Sequence, residues 1–422
     1  MRRPFKRSRL VVGVAVVAAV AMSALAGSVG SAGAARSAVR GFDGSTITLA
    51  SLGVKSQFEG GVTRGVNARI KRFNDTNEVK GVQIKWTEFA DDAQNDATAL
   101  SEVRRLVTQT GIFGIVGDTS ANNPGEYLNQ QHVPYFGWAF DNTYCSHTPT
   151  TKLYGFGYNG CLVPADPSVM GDNGFKSIQY VSEKSGHKNP TLAIFSNDTE
   201  SGKNSVKYQQ IAYKGAGYKI VATNNQMPIP PVADYTPYAN AMLTADNGNP
   251  PDAILCLLAT DCIGMFTQIN ASGYKGVYIS SLYSDILVKA LGGSAANVSV
   301  VPLDATTNNA GQVQMKQDLD AYQAGASGKV DTATIAGYSS TDMFISALKT
   351  VAKKGKSAIT PEAVQKVAST QTWQIKGLAG PTSYPKSTVS PYPTCTSLVV
   401  SDGAKWSTVE KFGCSNKQFP VK

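Results

Sequence analysis

Three short polar runs hold the residue types in this chain best suited to gripping a ligand, and each follows an apolar run of strand length. Asp118-Thr-Ser-Ala-Asn-Asn follows Ile112–Val116, Asn197-Asp-Thr-Glu-Ser-Gly202 follows Pro190–Phe195, and Ala259-Thr-Asp261 follows Asp252–Leu258. Hydroxyls and amides there, beside the free N–H groups of a following helix, suit a polar or negative ligand group. The same residue types cap helices everywhere, so one hydroxyl decides nothing. Several such loops converging on one cleft point to binding.

Catalytic chemistry is not expected. An exported hydrolase needs a nucleophile with a base, paired carboxylates or a metal set; no GxSxG, HExxH or supported SxxK occurs. Asp91-Asp92 reads as a pair of solvated caps. Gly155-Phe-Gly-Tyr-Asn-Gly160 matches GxGxxG literally, but no apolar strand precedes it and Pro164 follows soon after. A dinucleotide site needs strand, turn and helix together, so a disulfide-bounded loop is expected instead. Gly325-Ala-Ser-Gly-Lys329 lacks the spacer and the hydroxyl of a phosphate loop. His132, His147 and His187 stand apart and no CxxC is present, so neither a metal nor a cofactor is expected.

The elements that must position these loops begin after an export signal. Arg2, Arg3, Lys6, Arg7 and Arg9 precede an apolar run from Leu10 to Ala26, and Ala32-Gly-Ala34 offers a small-residue cleavage site. That order marks 1–34 as a secretory signal peptide, with Ala24-Leu-Ala26 as a second possible cut. Its loss takes the formal charge of the 422-residue chain from +9 down by five, to +4. That mild excess is no nucleic-acid footprint. No cysteine borders the cleavage site, so no lipid anchor is expected there, and no later apolar run reaches the roughly 18 residues of a membrane span. The product is expected to be exported, periplasmic or extracellular, and soluble.

All six cysteines lie beyond the signal. An even count in an exported chain implies disulfides, with fifteen connectivities possible for six. Sequence neighbours suggest Cys145–Cys161, Cys256–Cys262 and Cys395–Cys414, although the apolar run around Cys256 also suits a buried free thiol.

From Ser45 onward, strand-length apolar runs alternate with helical patterns. Thr46–Leu52 is followed by Val62, Val66, Ile70 and Phe73 at helical spacing. Gly81–Glu88 alternates as a strand does; Leu100, Val103, Leu106 and Val107 mark a helix closed by Gly111; Ile112–Val116, a helix near Tyr127–Gln131 and Val133–Phe136 complete the half. The second half repeats the order with Pro190–Phe195, a helix through Val206 to Ala212, Tyr218–Ala222, a helix around Tyr238–Ala245, Asp252–Leu258, a helix with Ile263, Phe266 and Ile269, and Gly276–Ser280. Two doubly wound α/β lobes with parallel sheets follow. Helices around Met315–Tyr322, Asp342–Lys353 and Pro361–Ser369 come next, then a strand-like tail with Ser397–Val400.

From about Ser45 to Lys411 the chain resembles the solute-binding proteins of branched-chain amino acid-type uptake transporters, the Leu/Ile/Val-binding proteins. The passages that carry the resemblance are Leu52–Gly61, Gly81 to Asp91-Asp92, Leu106–Gly117, Val133-Pro134, Ala193–Asp198 with Ser201-Gly202, and Gly337-Tyr338 through Ala347-Leu348. The resemblance implies two lobes joined by a multi-strand hinge with a ligand cleft between them, lobe 1 from 45–165 and 304–376, lobe 2 from 166–303 and 377–415. It implies ligand contacts from Gln57, Phe58, Thr119, Ser120, Trp138, Ala139, Phe140, Ser201, Asp261 and Tyr283, with Thr260 and Leu282 on the same edge loops. Ser201 stands where many members carry a tyrosine, and Asp261 and Asp285 are the acids available to an ammonium group. Two large aromatics, Trp138 and Phe140, occupy the site; core packing is the alternative for both. The implied ligand is amino acid-like, or a more apolar or aromatic carboxylate or amide. The implied partner is the membrane permease of an ABC transporter, served by a monomer. The alternatives are an exported sensor component and a secreted hydrolase.

Overall fold

The computed structural model describes residues 39–122, 124–145, 152–164, 166–229, 232–257, 262–291, 296–301, 308–384, 394–401 and 404–421. The expected signal peptide, and Thr260 and Asp261, lie outside them.

The chain first lays down β1 (Thr46–Gly53), α1 (Lys55–Asp75), β2 (Gln83–Asp91), α2 (Asp96–Arg105), β3 (Gly114–Asp118), α3 (Gly125–Gln130), β4 (Tyr135–Gly137) and β5 (Gly155–Gly157). These five strands form one parallel sheet in the order β2-β1-β3-β4-β5. Val62, Val66, Ile70 and Phe73 are buried along one face of α1, as their spacing requires. A π-helical turn at Leu106–Thr110 extends α2, and Gly111 caps it in the left-handed conformation at φ 68°.

β6 (Val169–Gly171) and α4 (Ser177–Ser185) lead into the second lobe: β7 (Thr191–Asn197), α5 (Glu200–Ala216), β8 (Lys219–Met227), α6 (Thr236–Leu243), β9 (Ala253–Cys256), α7 (Cys262–Ala271), β10 (Val277–Ser280), α8 (Asp285–Leu291) and β11 (Ala296–Val301). β7 to β11 are parallel in the order β8-β7-β9-β10-β11, the arrangement of the first sheet repeated.

The chain then returns to the first lobe with α9 (Ala310–Tyr322), α10 (Thr332–Ala352) and α11 (Pro361–Ala368). α10 begins ten residues before the helix expected at Asp342. Its first turns, Thr332–Thr341, carry five hydroxyl residues of the Ser/Thr type, which favour caps and turns over helix interiors. Burial overrides that propensity: Asp331 caps the start by accepting from Thr334 N–H at 2.7 Å, and Ser340 and Thr341 return their hydroxyls to the carbonyls of Ala336 and Gly337 at 2.6 and 2.7 Å. β12 (Thr372–Ile375) and β13 (Ala379–Ser383) pair as a short ribbon. β14 (Thr394–Ser401) and β15 (Trp406–Ser415) add antiparallel strands to the edge of the second sheet at β11, and β16 (Gln418–Pro420) pairs with β6.

All six cysteines are paired, as Cys145–Cys161, Cys256–Cys262 and Cys395–Cys414. Cys256 is therefore not a free thiol: α7 opens with Cys262 beside the end of β9 and brings the two sulfurs together. Among the described residues no helix is long and apolar enough to cross a membrane.

Candidate functional site

In a parallel sheet ordered 2-1-3, the connections on either side of the first strand run to opposite faces and leave a crevice at its carboxyl end. Here that switch falls between β1 and β3, and again between β7 and β9. At the first, Thr119 donates its N–H to Leu52 O at 2.9 Å. A Cβ on Gly53 would lie 2.1 Å from Thr119 Oγ1, so only glycine leaves room for that hydroxyl. At the second, Leu257 N–H donates to Phe195 O at 3.0 Å and Ser196 Oγ to Leu257 O at 3.1 Å. Thr199 caps α5 by accepting from Gly202 N–H at 2.9 Å.

Both crevices open on one cavity of about 50 Å³, walled by Val54, Phe58, Thr119 and Phe140 from the first lobe and by Asn197 and Thr199 from the second. A mouth of about 530 Å³ adjoins it, with Ser201 and Glu200 on one wall and Asn142 on the other. Asn142 Nδ2 donates to Glu200 Oε1 at 3.2 Å between those walls.

Phe140 also borders a larger inner cavity of about 170 Å³, shared with Trp138, Tyr158, Leu255, Ser280 and Thr382. Trp138 and Phe140 stack with ring centroids 4.6 Å apart, and Phe58 meets Trp138 edge-on at 6.4 Å. Ala139 between them holds φ at 70°, a sparsely populated conformation for a residue with a Cβ. That local twist sends Trp138 and Phe140 to one wall and Ala139 to the opposite side, against β5.

Behind the first switch point lie three buried carboxyls. Burial pushes Asp118 up to about 8, against the Tyr144 hydroxyl that donates to it, with Asp141 adding to the rise. Burial likewise lifts Asp141 to about 6, opposed by Thr143, whose N–H donates to Asp141 Oδ1 at 2.7 Å. Asp92 is buried, and burial raises its pKa. It is therefore no solvated cap, whereas the exposed Asp91 is one: its Oδ1 accepts from Lys55 N–H at 3.1 Å at the start of α1.

The structure brings Phe58, Thr119, Trp138 and Phe140 to the cavity walls and Ser201 to the mouth. Gln57 is exposed on α1. Ser120 is buried in its own turn, its N–H donating to Asp118 Oδ1 at 3.0 Å and its Oγ accepting from Asn122 N–H at 3.1 Å. Ala139 packs against Gly157. Tyr283 meets Trp406, with ring centroids 5.2 Å apart. Gly155-Phe-Gly157 is not loop but β5, and a Cβ on Gly157 would lie 2.5 Å from that of Ala139. The three glycines thus serve close packing and a turn.

Residues 47–392 match the family model described as periplasmic binding protein. The chain belongs to that family.

Solved periplasmic binding proteins share the fold of this one across most of both chains. An ABC transporter substrate binding protein from Aeropyrum pernix is 14% identical over 88% of this chain and 97% of its own, with a TM-score of 0.70. The branched-chain amino acid transporter substrate binding protein LivJ from Streptococcus pneumoniae, in complex with isoleucine, is 16% identical over 88% and 100%, with a TM-score of 0.63. A solute binding protein of an ABC transporter from R. palustris, in complex with 4-hydroxybenzoate, is 14% identical over 88% and 98%, with a TM-score of 0.63. No curated protein matches by sequence. In this periplasmic binding protein, reading the sequence missed Tyr158 and Ser280 as cavity walls, and it singled out Asn197 and Thr199 only as part of a polar run. The signal for Asn197 and Thr199 was their place in the polar run after β7.

Proposed function

We propose that this chain is an exported carrier that traps a small solute between its lobes and presents the closed form to the permease of an ABC transporter. The observation that carries the reading is the convergence of the two switch points, through Thr119 and Asn197, on one cavity. Ligands of open α/β sheets gather at such points, and hinge closure hides them from water. The lobes are divided at 45–165 with 304–376 and 166–303 with 377–415. The carrier acts as a monomer after removal of 1–34, performs no chemistry on its solute and binds no nucleic acid.

The solute is amino acid-like, or an apolar or aromatic carboxylate or amide. Structural neighbours in complex with isoleucine, 4-hydroxybenzoate and benzoate support that range. The test is the melting shift of residues 35–422 against a panel of amino acids, aromatic acids and amides, each recovered and checked for chemical change. A true ligand at about a hundred times its Kd should stabilise by roughly 2.7 kcal/mol. It should come back intact, and Thr119→Ala should weaken it. A solute returned as product would sink the carrier reading in favour of an enzyme.

A further inference from the structure

We infer that the solute of this carrier presents an uncharged ring, which fills the inner cavity of about 170 Å³ and accepts a hydrogen bond from the Tyr158 hydroxyl. The inference rests on the carrier reading and narrows its ligand class.

Size is the first argument. A cavity of roughly 150 Å³ takes a benzene-sized ring, and the inner cavity is of that order, whereas the 50 Å³ space beside Thr119 is not. Its apolar surface comes from Trp138, Phe140, Val163, Leu255 and Leu257.

Charge is the second. The polar side chains on its walls include Asn159, Asn173, Gln209, Ser280, Ser281 and Thr382, all neutral, and among the described lining residues no acid or base occurs. A carboxylate moved there would shed its hydration with no opposite charge to meet it. An amide, a phenol or another neutral polar group loses far less.

The third argument is an unpartnered donor. Tyr158 is 1% exposed; the Asn159 side chain lies near enough to its hydroxyl to lower its pKa, and no acceptor for that hydroxyl falls within bonding distance among the described residues. Such orphans are rare in native proteins and call for a reason. The residue is firmly held, its N–H donating to Gly137 O at 3.1 Å and its carbonyl accepting from Thr382 Oγ1 at 2.5 Å. Burial raises its pKa, so it stays protonated and available to donate. Phe140 borders both cavities, so the inner one adjoins the cleft.

The experiment is calorimetric titration of the mature chain with benzamide and with benzoate, two probes of one shape that differ in charge. Benzamide should bind at least about tenfold tighter, since only the acid must be desolvated as an ion. Tyr158→Phe should cost benzamide about tenfold, the order of one hydrogen bond. The unliganded variant should melt at the same or a higher temperature, because it loses an unpaired buried hydroxyl. Ser281→Trp, which intrudes on the cavity, should abolish benzamide binding. Equal or tighter binding of benzoate overturns the proposal, and so does undiminished benzamide affinity in Tyr158→Phe. If benzamide fails while isoleucine or benzoate binds and is lost in Thr119→Ala, the inner-cavity proposal falls and the carrier reading stands. If no solute of the panel binds, both fall.

Discussion

Tyr283 and Thr332 exchange hydrogen bonds between the carboxyl end of the second sheet and the helix packed on the first. Thr332 N–H donates to Tyr283 O at 3.0 Å, and Tyr283 N–H donates to Thr332 Oγ1 at 2.7 Å. Tyr283 follows β10, and Thr332 opens α10, so the pair ties one lobe to the other.

Thr332→Val keeps the shape of the side chain and removes the acceptor. It takes that acceptor from the Tyr283 N–H at a threonine site only 3% exposed, at an expected cost of about 1–3 kcal/mol. Urea titration checks this. A change below about 0.5 kcal/mol would show that the tether adds nothing.

Gly53→Ala should disable the cleft from behind. The new methyl would meet Thr119 Oγ1 at 2.1 Å and Phe89 Cζ at 3.1 Å, so Thr119 must rotate or β1 must shift. Overpacking of this kind costs about 1–3 kcal/mol, and affinity for the trapped solute should fall with stability. An alanine variant that binds as the parent does would remove Thr119 from the site.

The buried acids give the protein a falling alkaline limb. Asp118 titrates near 3.8 when unfolded and is pushed up to about 8 in the fold. The native state therefore holds a proton that the unfolded chain has released, and stability is lost as pH rises from about 4 through 8. Asp118→Asn, which keeps the size and stays neutral, should flatten that limb in denaturation curves taken between pH 5 and 9. An unchanged slope would assign the limb to other groups.

The acid limb has a different source. Burial alone would raise the carboxyl of Glu78, but Arg69, reinforced by Lys349, holds it down to about 2. Arg69, 3% exposed at its side chain, bridges Glu78 at 2.7 Å and Asp342 at 2.6 Å. The contribution of Glu78 is complete above its unfolded value of 4.5 and is lost as pH falls toward 2. Arg69→Leu takes one partner from each acid, leaving Glu78 with Lys349 at 2.8 Å and Asp342 with Arg72 at 3.4 Å, and should cost about 3 kcal/mol at neutral pH, with less pH dependence between 2 and 4.5 than the parent shows. Thermal melts across that range decide it.

The core strands and most of the long helices were legible because their signals are local. Ile112–Val116 is apolar at strand length, and α1 repeats its buried residues every three or four positions. The short strands β5, β6 and β16 were not, since three residues such as Gly155-Phe-Gly157 become a strand only when a neighbour supplies the ladder. The walls of the candidate site were legible in part. Thr119, Trp138 and Phe140 reach cavity walls, the last two because residues two apart flank a twisted Ala139. Ser120 turns into its own loop because its neighbour Thr119 already takes the outward direction. Nothing in the residues around Tyr158 marks it as a cavity wall.

The sequence by itself determined the alternation of strand and helix and the polar ends of β3 and β7, because run length, periodicity and capping chemistry act between residues a few positions apart. Tertiary structure alone decided that Thr119 and Asn197 share a cavity, that α10 begins at Thr332, and that Asp118 keeps its proton near neutrality. Strand order, the approach of the two lobes and the depth of burial depend on contacts between residues far apart in the chain, and no local pattern encodes them.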